Sequence, residues 1–73
     1  MAEESVDLRK AKAENSTSPK ELEKLAEDKD EYVRKAAAEN ANTPVSMLEK
    51  LAEDKNKGVR STVAENSNIP VPC

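Results

Sequence analysis

The stretch AENSTSPKELEKLAEDKDEYVRKA (residues 13–36) is written again, with small changes, as AENANTPVSMLEKLAEDKNKGVRSTV (38–63). A third copy begins as AENSNIPVPC (64–73). The anchors Glu14-Asn15, Glu39-Asn40 and Glu65-Asn66 fall 25 and then 26 residues apart. Working back, Leu8-Arg9 occupies the place of Val33-Arg34 and Val59-Arg60. Self-similarity at such a period marks a chain built from one supersecondary unit, each copy burying its apolar face against its neighbours.

Each unit holds two helical patterns. The first, helix A, opens at a hydroxyl residue before proline: Ser18-Pro19 and Thr43-Pro44. A hydroxyl at the N-cap accepts an orphan backbone N–H, and proline suits the next position because it has no N–H to satisfy. Ser18 and Glu21 also have the spacing of a capping box. Leu22, Leu25 and Ala26, then Met47, Leu48, Leu51 and Ala52, recur at helical spacing and point one face inward. The second unit carries one extra residue between its proline and its first leucine of the LEKLAED stretch.

Helix B follows a short turn. Its inward pattern is Leu8 and Ala11, then Val33, Ala36 and Ala37, then Val59, Thr62 and Val63. Three residues before each first apolar position stand Ser5, Asp30 and Asn56. They differ in type, yet all three are good N-caps. Asn15, Asn40 and Asn66 close the pattern, and asparagine tolerates the left-handed conformation common at helix C-termini. Lys12 stands where Ala37 and Val63 point inward. This implies either a wetter inner face or a lysine that snorkels outward. At the far end Ile69 replaces the hydroxyl cap, Pro72 falls in the first turn, and Cys73 takes the place of Met47. No stretch alternates with period two, so no strand is expected.

These patterns predict an all-α chain, a short solenoid of stacked two-helix repeats with about two and a half units and no sheet. The divisions are 1–15, a partial first repeat holding helix B only; 16–40, repeat one; 41–66, repeat two; and 67–73, the start of a third repeat or a tail. The apolar inventory is thin, with one Tyr and no Phe or Trp. Marginal stability is expected, and an apolar end left open by so short a stack predicts either self-association or continuation into further residues.

The motifs LEKLAED (22–28 and 48–54), VRKAAAEN (33–40) and VRSTVAEN (59–66) resemble the leucine-rich repeat variant family and, more loosely, HEAT-like repeats. The resemblance covers about residues 5–70. It implies a right-handed superhelix of two-helix units, with the second helix of each unit lining the concave side. One known architecture joins such repeats to a cysteine-ligated iron–sulfur domain. This chain has a single cysteine, so no cofactor carries over.

Composition narrows the function further. The chain has no His, one Gly and no cluster of thiols. Neither a catalytic residue nor a metal ligand set is expected, because the carboxylates are spread over helix surfaces. Net charge is −3 with mixed signs. Nucleic-acid binding needs a basic stripe and aromatic platforms, and both are lacking. No membrane association is expected, and without an apolar signal-peptide core the chain reads as cytoplasmic.

Asp28 with Arg34, and Asp54 with Arg60, recur six residues apart. They suggest a structural ladder in which each Asp holds the A–B turn and pairs with an Arg of its own or the next unit. The competing reading is an Arg row offered to an anionic partner. Asn15, Asn40 and Asn66 likewise read as structural. A protein-contact face falls on the outward positions of helix B: Lys10, Glu14, Lys35, Glu39, Ser61 and Glu65, with Tyr32 as an anchor. Tyr32 has Gly58 as its counterpart, so packing does not require a large residue there. The function expected is a non-enzymatic protein-interaction scaffold with an unidentified protein partner. The alternative is an accessory segment of a larger enzyme or redox protein.

Overall fold

The computed structural model describes residues 4–66, and within them the chain is all-helical, with no strand. Five helices run in order: α1 (Val6–Asn15), α2 (Pro19–Ala26), α3 (Glu31–Glu39), α4 (Val45–Leu51) and α5 (Lys57–Glu65). In sequence terms α2 and α4 are A helices, and α1, α3 and α5 are B helices. Packing is strictly between neighbours. The central helix α3 touches all four others, whereas α1 meets neither α4 nor α5. The expectations about Ile69, Pro72, Cys73 and a third unit lie outside the described residues.

All three B helices start as their sequence dictates. Ser5 accepts from the Leu8 N–H, Asp30 from the Tyr32 N–H, and Asn56 from the N–H groups of Gly58 and Val59. Each side chain satisfies a donor that the first helical turn leaves without a partner. The A helices differ from one another. Ser18 caps α2 with Pro19 at the first helical position. The capping box does not close, because the Ser18 N–H donates to Ser16 Oγ at 3.1 Å instead of to Glu21. In α4 the N-cap is Pro44, without a side-chain bond.

The expected cap at Thr43 is therefore corrected: its buried hydroxyl turns back and donates to the Ala37 carbonyl at 2.6 Å. The extra residue of the second unit explains this, since it moves the proline one place back from the helix. It also rotates the buried stripe. In α2 that stripe is Leu22, Leu25 and Ala26, whereas in α4 it is Met47, Leu48 and Leu51. Ala52, expected inside, is exposed and lies just past the helix end.

Leu22, Leu48, Val33, Val59 and Val63 are the largest fully buried side chains. Burying each stabilises the fold by roughly 1.5–3 kcal/mol relative to exposure. Leu8, aligned with Val33 and Val59, breaks the pattern: it is 47% exposed while they are fully covered. No large hydrophobic is exposed on α5. Lys12 does snorkel, and its ammonium pairs with Glu4. That hydrogen bond holds its pKa above the ordinary lysine value, and the opposing effect of burial is smaller.

Asparagine closes α3 and α5 by a route other than the left-handed turn expected. Asn40 and Asn66 are C-caps in extended conformation, and no described residue has positive φ. Both are buried, and both side chains reach back to the end of the preceding B helix. Asn40 Nδ2 donates to the carbonyls of Ala13 and Ser16, each at 2.9 Å. Asn66 Nδ2 donates to those of Ala38 and Asn40 at 2.7 and 3.3 Å. One amide thus satisfies orphan carbonyls at the end of the neighbouring B helix. Asn15 ends α1 but is exposed, and its amide folds back to the Ala11 carbonyl.

Replacing Asn40 with Ala would strand two carbonyls with little access to water. It should lower unfolding free energy by about 1–3 kcal/mol. Asn15→Ala should stay within about 0.5 kcal/mol of the parent. Urea unfolding followed by circular dichroism compares the two.

Candidate functional site

The charged residues divide into those engaged between units and those left at the surface. The first set forms a ladder. Arg9 Nε donates to Asp28 Oδ2 at 2.8 Å, and Arg34 Nε donates to Asp54 Oδ2 at 2.7 Å. A second, longer bond runs from Nη2 to Oδ1 in each pair, at 3.4 and 3.3 Å. Each Asp also accepts the backbone N–H two residues on, from Asp30 and Asn56, and so shapes its A–B turn. Each Arg uses Nη1 on its own turn: Arg34 on the Asp28 carbonyl at 2.8 Å, and Arg60 on the Asp54 carbonyl at 2.6 Å.

The ladder expectation therefore needs one correction. Each Asp pairs with the Arg of the preceding unit, and the Arg of its own unit meets only its carbonyl. A planar guanidinium has enough donors for both tasks at once. The sequence signal was the alignment of Arg9 with Arg34. The partner, 19 or 20 residues further on, becomes visible only when the units pack.

The side chains of both ladder pairs are only 11–14% exposed. Burial pushes the Asp54 carboxyl upward. The Asn56 N–H and the Arg34 guanidinium together outweigh it, and the pKa ends below the ordinary aspartate value. Lys50 with Glu27, at 3.3 Å, and Asn56 with Glu31 add exposed links between the units.

The second set lies on the outer side of the B helices. Lys10 and Glu14 of α1 face Tyr32, Lys35 and Glu39 of α3 across a groove of about 200 Å³, with Ala36 in its lining. Five of the seven residues assigned to the contact face are thus together. None of the five makes a side-chain hydrogen bond or ion pair among the described residues. Tyr32 is 56% exposed. Glu65 lines a smaller recess of about 170 Å³ with Glu39, Thr62 and Asn66. Ser61 is exposed but lines neither hollow. Ala36 and Thr62 were missed because both were read as inward residues; both are buried, yet each borders one of the hollows.

Among the described residues, no group of three or more His, Cys, Asp or Glu side chains is arranged to hold a metal ion. No described helix is long and apolar enough to cross a membrane. No family model, curated protein or solved structure matches the chain.

Arg34→Met would leave the largely buried Asp54 without its ion-pair partner. A loss of about 2–4 kcal/mol is expected, with part restored by the double change Arg34→Met, Asp54→Leu. The depressed Asp54 pKa adds a pH test. Its stabilisation is present above the unfolded value, about 3.9, and is lost as pH falls through the lower folded value. The parent should therefore lose stability below about pH 4 more steeply than the double variant. Thermal melts from pH 7 down to pH 2 measure the difference.

Proposed function

We propose that the chain is a non-enzymatic helical-repeat scaffold of the cytoplasm. In this reading it is a short right-handed solenoid, and the groove between α1 and α3 takes a segment of a protein partner. The observation that carries the reading is the contrast between the two sets of charges. Arg9, Asp28, Arg34 and Asp54 are bound to one another and to backbone. Lys10, Glu14, Lys35 and Glu39 line an open groove beside an exposed tyrosine.

The chemistry of the groove suits an extended peptide of mixed charge. Tyrosine offers a rigid amphipathic contact at low entropic cost, and flanking charges of both signs set orientation more than affinity. Gly58 in the place of Tyr32 supports this, since the repeat packs without a large residue there. The inter-unit ladder and the asparagine bonds, each recurring once per unit, support the solenoid. So does the resemblance to leucine-rich repeat variant sequences.

A peptide library selected against the full chain tests the proposal. Selected peptides should bind Tyr32→Ala, Lys35→Glu at least about tenfold more weakly than the parent. They should bind Lys24→Glu, on an A helix, as they bind the parent. Peptides indifferent to the groove changes, or a library yielding no binder, would sink the reading.

A further inference from the structure

The groove between α1 and α3 has two ends of opposite sign. Its two helices run side by side in the same direction. Arg9 of α1 meets Asp28, just before α3, and Asn40, just after α3, meets Ala13 and Ser16 at the far end of α1. Lys10 and Lys35 are equivalent positions in successive copies, as are Glu14 and Glu39. Each pair lines the groove from opposite walls. Like charge therefore faces like at both ends. Tyr32 stands at the lysine end, three residues before Lys35.

Local electrostatics does not explain this arrangement. Glu14, Glu39 and Glu65 fall in the last turn of α1, α3 and α5, where the helix dipole disfavours a carboxylate. Lysine four residues before glutamate is also the weaker order for an ion pair within a helix. Among the described residues neither Lys10 with Glu14 nor Lys35 with Glu39 forms one. All four side chains are exposed. A local rule broken in the same way in successive copies marks a surface shaped by something other than folding. The neighbouring α3–α5 seam carries half of the pattern. Glu39 and Glu65 line its recess, but Gly58 and Ser61 replace Tyr32 and Lys35.

We propose that the α1–α3 groove reads an extended segment of a protein partner that carries an acidic and a basic residue two apart. The inference rests on the peptide-groove reading above and names what is recognised in the partner. The acidic residue lies between Lys10 and Lys35, and the basic residue lies between Glu14 and Glu39. The spacings match. Four residues of α-helix rise about 6 Å. Two residues of an extended strand, on one face of it, span about 6.6 Å. Adjacent residues of such a strand point to opposite faces, so one of the two charges would miss the groove.

Tyr32 adds a neutral hydroxyl donor at the end where the acidic residue lies. In the complex each like-charged pair gains a counter-ion, and the carboxylates at the helix C-termini gain the cation that the dipole favours there. Pairing of this kind sets register and direction more than affinity. The order of the two residues in the partner fixes which way its chain runs along the groove.

Display selection of randomised peptides against the full chain tests this. Binders weakened by Tyr32→Ala, Lys35→Glu should carry an acidic and a basic residue two apart. The best of them, made synthetically, then enters a charge-swap cycle read by fluorescence anisotropy at low salt. The variant Glu14→Lys, Glu39→Lys should bind it at least about tenfold more weakly than the parent. Changing the basic residue of the peptide to glutamate should restore binding to that variant, and changing its acidic residue to lysine should not. A lysine in the last helical turn is favoured by the dipole, so the variant should melt no lower than the parent. Glu14→Gln, Glu39→Gln, which brings in no new charge, should show a smaller loss in the same direction.

Groove binders without that charge spacing, or a swap that restores nothing, would overturn the inference and leave the peptide-groove reading standing. A library that yields no groove binder would overturn both.

Discussion

A guanidinium shared between two units is the constraint on which the rest of the structure depends. Arg34 holds the carbonyl of its own A–B turn with one nitrogen and the aspartate of the next turn with the other edge of the fork. The aspartate is in turn aimed by the backbone N–H that it accepts. Turn shape, helix start and unit spacing are therefore set by one connected group of bonds. The net stability of such a pair is modest, because both ions leave water to make it. Its larger effect is on alternatives. A packing displaced by one residue would keep much of the apolar burial, which is non-directional. It would also leave a largely buried carboxylate and a largely buried guanidinium apart. In a core made mostly of alanine, valine and leucine, polar bonds are the feature best able to discriminate.

Local rules were read well from the sequence, and rules that reach between units were not. Ser5, Asp30 and Asn56 were legible as caps because an N-cap bonds a neighbour two or three residues away. The leucine spacing of α2 was legible for the same reason. Thr43 and Ala52 misled because a single added residue shifts helix α4 against the repeat pattern. Asn40 was rightly placed at a helix end, but its acceptors lie 27 and 24 residues back, at the end of α1 and just after it. A conformational preference was the nearest local explanation for it. The Arg–Asp partners went astray likewise: recurrence revealed the residues, and only packing decided which copy meets which.

The candidate groove was legible to a different degree. Helical spacing put Lys10, Glu14, Lys35 and Glu39 on outward positions, and the structure assembles them with Tyr32 along one seam. Spacing within each helix carries no information on how closely two B helices approach. That approach is settled by packing, in which Ala13, Ala36 and Ala38 of these two helices are all buried.

The two units differ in length by one residue, and the difference falls where helix A begins. Pro44 there stands outside α4, whereas Pro19 stands inside α2. Yet the six-residue interval between Asp28 and Arg34 is kept between Asp54 and Arg60. The fold therefore has a place that absorbs insertions and a place that does not. Length can drift at the loop before each A helix, where the cost is a changed cap and a rotated stripe of side chains. At the A–B turn, one residue more would pull the guanidinium off the carbonyl that orients it. Indels along such a chain sort by loop, and the tolerant loop is the one from which new surface can grow.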